Sequence, residues 1–107
     1  MIALVMSVSL PMTTYAANWY LEDGSVTVNA DNSGQTVTQG GTSTPDEAPV
    51  ITQRESSVET GSTITINTSD NADANVTIKD INIKSSKDAI DVKGSSSANI
   101  TLEGDNK

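Results

Sequence analysis

The sequence predicts an all-β protein, and within that class a parallel β-solenoid of two to three short coils. Three observations carry the prediction. Runs rich in Val, Ile and Thr alternate apolar with polar residues and are separated by turn-forming chemistry. Apolar pairs recur at a fixed offset: Val76 with Ile100, and Ile78 with Leu102, lie twenty-four positions apart. The 107 residues include no Phe, one Trp and two Tyr, too little aromatic volume for the roughly 10 Å gap between sandwich sheets. A narrow core of stacked aliphatics needs no aromatic residue.

The first element is a leader. MIALVMSVSLPMTTYAA carries no charge, and Ile2 to Met12 has the length of a signal-peptide apolar region while being too short to span a bilayer. Small residues follow, and cleavage is expected after Ala16 or Ala17; cutting after Ala16 sets Thr14 at the minus-three position. No Lys or Arg precedes the apolar run, as a start codon placed too far downstream would explain. The expected organisation is a signal peptide over 1–17 and a β-segment over 18–107. Past the leader nothing resembles a membrane span, so stable membrane insertion after cleavage is not expected.

About ninety residues remain, and every charge lies in them. SVTVN (25–29), QTVTQ (35–39), PVITQ (49–53) and TITIN (63–67) read as strands, followed by the pairs Val76/Ile78, Ile81/Ile83, Ile90/Val92 and Ile100/Leu102. NADNSG, GGTSTPDEA, ETGS, TSDNADA and KGSSSA read as turns. No run repeats apolar residues at helical spacing, so no helix is expected beyond the leader. Asn-Gly is absent, and Asp23-Gly24 is the one tight-turn signal, which weighs against a hairpin-built sandwich. The three apolar pairs from Val76 to Val92 fit three faces of one coil. Asn29, Asn67, Asn75, Asn82 and Asn99 are expected at corners, where Asn tolerates left-handed backbone. The chain reaches LEGDNK as another coil would begin. It therefore reads as the N-terminal piece of a longer protein or as a short relative lacking its continuation, marginal alone, with an exposed strand edge.

Composition excludes several chemistries. With 14 acidic and 6 basic residues the formal net charge is −8, which disfavours nucleic acid. Without Cys or His the chain has no disulfide, no thiol nucleophile, no histidine-based triad and no Cys/His zinc site. No cofactor is implied.

NWYLEDGSVTVNADNSGQTVTQGG, APVITQ, NVTIKDINI and above all ANITLEGDN resemble secreted bacterial surface proteins described as carbohydrate-binding domain-containing proteins. Asn99 to Asn106 match a strand phrase of that family, and Trp19-Tyr20 stand where it has a Trp-Tyr pair. The resemblance covers the chain past the leader and implies a right-handed parallel β-helix, a secreted or cell-surface location and glycans as partners. It leaves the oligomeric state open, and the family's later glycine-rich coils have no counterpart here.

The candidate ligand-binding residues are Trp19, Tyr20, Asp88 and Asp91. The two aromatic rings could stack on sugars; as a hydrophobic lid over the first coil they would do no more than pack. Asp88 and Asp91 bracket a strand as acid–base pairs do in polysaccharide-cleaving enzymes, but Lys87 and Lys93 beside them also make a solvated charge ladder. Asp70 and Asp73 form at best a loose calcium loop, lacking the further ligands such loops require. NTS, NVT and NIT match the glycosylation sequon, as chance predicts in a chain so rich in Asn, Ser and Thr. TITIN and VTVN do not share one register, which disfavours a flat ice-binding face. The leading expectation is a non-catalytic extracellular segment, not an enzyme, contributing to carbohydrate binding or adhesion. A polysaccharide-active fragment and a purely structural cap or stalk are the alternatives.

Overall fold

The structure, a computed structural model, describes residues 17–107. The predicted leader as far as Ala16 lies outside the described residues, and Ala17, its last expected residue, lies within them. Nine strands follow in order: β1 Asn18–Tyr20, β2 Val26–Asp31, β3 Gly34–Gln39, β4 Thr42–Pro45, β5 Val50–Thr52, β6 Ile64–Thr68, β7 Ala74–Lys79, β8 Ile90–Gly94 and β9 Ala98–Glu103. Leu21–Asp23 forms a 3₁₀ turn between β1 and β2. The all-β expectation is correct. Alternation is clearest in β2, β6 and β7, where every second residue is buried and the residues between face outward.

The strands form two sheets. One is four-stranded in the order β9-β7-β5-β1, with parallel neighbours throughout. The other is five-stranded in the order β4-β3-β2-β6-β8, and it is mixed: β2, β6 and β8 run parallel, while β2, β3 and β4 are joined antiparallel. The chain is therefore not the right-handed parallel β-helix of two to three coils that the sequence suggested. Two hairpins overturn it. Asp31 Oδ1 accepts from the Ser33 N–H at 2.9 Å and its hydroxyl at 2.6 Å, closing a tight turn into Gly34 at φ 130°. Gly40 and Gly41 then turn β3 into β4 with φ of 62° and 81°, the two-positive-φ geometry that hairpins favour. The offset between paired strands is also unequal: Asn67 lies 38 positions from its β2 neighbour Asn29, whereas Asn99 lies 24 from its β7 neighbour Asn75.

Ile100 pairs with Val76 and Leu102 with Ile78 across β9 and β7, so the twenty-four-position spacing describes two neighbouring strands and not the whole chain. Ile81 and Ile83 form no strand; Ile83 takes part only in an isolated bridge with Thr60. Nor do four of the five expected asparagines mark corners; Asn82 alone lies outside the strands. Asn67 donates from Nδ2 to Asn29 Oδ1 at 3.0 Å, and Asn99 to Asn75 Oδ1 at 3.1 Å, so both pairs lie within strands as side-chain ladders. The left-handed corners fall on Asp70, Asn71 and Asp80.

Leu21, Val26, Val28, Val37, Ile51, Ile64, Ile66, Val76, Ile78 and Ile81 make the core between the sheets. The burial stops one strand short of one end. Ile64, Ile66 and Ile78 are wholly buried, yet Ile90, Val92, Ile100 and Leu102 beside them are 36, 47, 37 and 65 % exposed. β8 pairs with β6 and β9 with β7, so the two strands end the two sheets on the same side. The β6–β7 and β8–β9 turns are tied together: Thr68 Oγ1 accepts from Ser96 N–H at 3.0 Å, and Asp73 Oδ1 accepts from the Ser96 hydroxyl at 2.7 Å.

Candidate functional site

The candidate residues lie in two separate places. At the closed end, Trp19 on β1 packs against the core and is half-buried. Its indole Nε1 donates to Asp46 Oδ2 at 2.8 Å. The same oxygen accepts the Ala17 N–H at 3.0 Å, and Asp46 Oδ1 accepts the Ala48 N–H at 3.0 Å. Asp46 is only 1 % exposed. Sequence reasoning missed it because it stands in a stretch, TPDEA, that reads as an ordinary solvated turn.

Tyr20 faces outward beside an ion-pair cluster. The Arg54 guanidinium lies 4.1 Å from the centre of its ring, a cation–π contact, and makes a two-point pair with Asp23 at 3.0 and 2.9 Å. That hydrogen-bonded guanidinium holds the Asp23 carboxyl below the usual carboxylate range and pushes Arg54 up. Glu22 is lowered too: desolvation raises it, but the N–H groups of Arg54 and Glu55, at 3.0 and 2.8 Å, outweigh that together. Both candidate rings are thus committed to contacts within the protein, Trp19 at its edge and Tyr20 over a face.

At the open end, Asp88 is exposed ahead of β8, and Asp91 sits half-buried on the outer face of β8. Asp91 pairs with Lys93 at 3.4 Å, the charge ladder that the flanking lysines suggested. Asp73 ties a turn, as described above, and among the described residues no group of three or more acidic side chains could hold a metal ion. No helix among them is long and apolar enough to cross a membrane.

Three glutamines matter more than the sequence indicated. Gln35 is buried, and its amide pairs with the Asn75 backbone in both directions, accepting from N–H and donating to C=O at 2.9 Å each. It stands in for the strand residue that β5, starting only at Val50, does not supply. Gln53 accepts from Asn82 N–H and donates to Val58 C=O. Gln39 donates to Tyr20 C=O at 2.7 Å and Gly24 C=O at 2.9 Å. Among the described residues no buried side-chain polar atom lacks a partner. A long polar side chain at an inward position was the available signal.

No protein-family model, curated protein or solved structure matches the chain.

The main-chain groups of the open edge follow from the pairing. Ile64 N–H donates to Ala89 C=O, and Ser95 N–H to Thr68 C=O. The backbone groups of Asp91 and Lys93 therefore face β6, and those of Ile90, Val92 and Gly94 point away from the sheet. On β9 the equivalent bonds, Ala74 N–H to Ser97 C=O and Asp80 N–H to Glu103 C=O, leave Ala98, Ile100 and Leu102 pointing away. This edge offers unpaired backbone and uncovered aliphatic side chains together.

Proposed function

We propose that the chain is a non-catalytic structural module of a secreted or surface protein, and that its open edge joins it to a second copy of itself. The carrying observation is the exposure of Ile90, Val92, Ile100 and Leu102 beside a row of outward-facing backbone groups. Such an edge is a template for strand addition.

The occupant follows from β8. A twofold axis normal to the sheet at Val92 sets β8 antiparallel to its copy. Val92 then faces Val92 of the second copy, and Ile90 faces Gly94, each through backbone groups that already point outward. The same register sets Asp91 opposite the second copy's Lys93, and Lys93 opposite its Asp91. Opposite charges directly across an antiparallel pair contribute roughly 0.2–1 kcal/mol each, and like charges there oppose pairing. The edge is self-complementary in hydrogen bonding, apolar surface and charge at once.

Sedimentation across a concentration series tests this. The unaltered chain should dimerise. Lys93→Glu should weaken the dimer by roughly two- to thirtyfold through the loss of two such pairs, and further through the like charges it sets opposite each other; adding Asp91→Lys to it should restore association. A monomer at every concentration, or a dimer indifferent to these exchanges, would count against the reading.

Glycan contact is a second reading, supported by the family resemblance and by the half-exposed Tyr20–Arg54 pair. Glycan-array binding that falls in both Trp19→Ala and Tyr20→Ala supports it; binding equal to background in all three proteins removes it.

A further inference from the structure

Asp46 is a buried carboxylate whose three donors are two backbone N–H groups and an indole, all neutral. No Lys or Arg contacts it among the described residues. A buried charge normally has a counter-charge or is costly. The nearest group that processing can convert into a cation is Ala17 N, 3.0 Å away, at one of the two expected cleavage positions. Ala17 is held from its other side as well, because its C=O accepts from Val50 N–H at 3.0 Å.

We propose that the leader is removed between Ala16 and Ala17, and that the α-ammonium this creates on Ala17 is the counter-charge of Asp46. A leader peptidase adds water across the Ala16–Ala17 peptide bond. Ala16 leaves as a carboxylate, and Ala17 N, until then a one-hydrogen amide, becomes an ammonium with three donors. One of them keeps the bond to Oδ2, which turns from a neutral into a charge-assisted hydrogen bond. Cutting one residue later removes the nitrogen altogether. Processing at this bond thus completes the closed end, and the uncut chain lacks that ion pair. The inference goes beyond the edge-pairing reading and rests on Ile2–Met12 being a cleaved leader.

The pairing is pH-dependent. An α-amine titrates near 7.7–8.0 when free, and an adjacent carboxylate favours its charged form. The stabilisation is fully present below that range and is lost as pH rises through the amine's titration in the folded protein. Nearby titratable groups are Glu47, whose carboxylate accepts Gln35 N–H, and Tyr20, which faces Arg54. β3 and β5 carry no charged side chain.

Two measurements test the proposal. The full chain expressed in a secreting bacterial host should yield an intact mass beginning at Ala17. A first residue at Asn18 overturns the inference and leaves the leader reading standing, whereas an uncut leader overturns both. The chain starting at Ala17 should then lose Tm between pH 7 and 10 by roughly 4–8 °C more than a chain retaining Ala16, in which Ala17 N is an amide. Asp46→Asn should erase that difference. Equal pH profiles for the two starts, or a difference that survives Asp46→Asn, overturn it.

Discussion

Asn67 donates its side-chain amide to Asn29 at 3.0 Å across the parallel β2–β6 pair, joining residues 38 positions apart. The ladder adds a specific side-chain bond to a parallel register that backbone pairing alone fixes less firmly. Asn67→Ala should lower stability by about 1 kcal/mol. Asn99→Ala, which removes the exposed counterpart on β9, should change it by less than about 0.5 kcal/mol. Urea denaturation of both variants measures the contrast, and equal losses would mean that burial does not distinguish the two ladders.

Gln35 substitutes for a missing strand residue, so its amide cannot be replaced by apolar volume. Gln35→Leu leaves the Asn75 N–H and C=O without that partner and should cost about 2–3 kcal/mol. Denaturation midpoints near the unaltered protein's would show that water replaces the amide at no cost.

Gly94 ends β8 at φ 117°, and a Cβ there would lie 2.0 Å from Thr68 C=O. Gly40 sits at φ 62° in the β3–β4 turn with open space around it. Gly94→Ala should therefore be far the more damaging: about 1–2 kcal/mol is expected at Gly40 from the left-handed backbone alone, and a greater loss at Gly94. Thermal unfolding of the two single variants orders them directly.

Acid should loosen the Tyr20 side of the molecule first. Asp23 and Glu22 are held below their ordinary values in the folded chain, so their contribution is present above the unfolded carboxylate range and lost as pH falls through the lowered folded values. Melting temperature should drop below about pH 4, and Arg54→Gln should flatten part of that drop. An unchanged profile in the variant would remove the guanidinium from the explanation.

How much of this is legible in the sequence depends on which residues set it. The period-two alternation of Val26/Val28, Ile64/Ile66 and Val76/Ile78 identifies inward faces, because a half-buried strand leaves that mark whatever its neighbours. Strand partnership leaves no such mark. The spacing of twenty-four between β7 and β9 reads as a period of the whole chain, and Gly40–Gly41, two adjacent residues free to take positive φ, reads as generic turn chemistry. β4 escapes notice because Thr42–Pro45 has no apolar residue to alternate. At the candidate sites the aromatic pair is visible, but its partners Asp46 and Arg54 lie 27 and 34 positions on from Trp19 and Tyr20, and only three-dimensional pairing brings them there.

The difference between the two ends of the molecule has one more consequence. A body with a sealed face and a sticky one has polarity, and polarity usually invites fibres through head-to-tail growth. Here the other end, built around Leu21 and Trp19, keeps its aliphatic side chains covered, and the strand that ends the five-stranded sheet away from β8 is the exposed, polar β4. On the proposed pairing, union through two sticky faces uses up both and leaves the covered ends outermost.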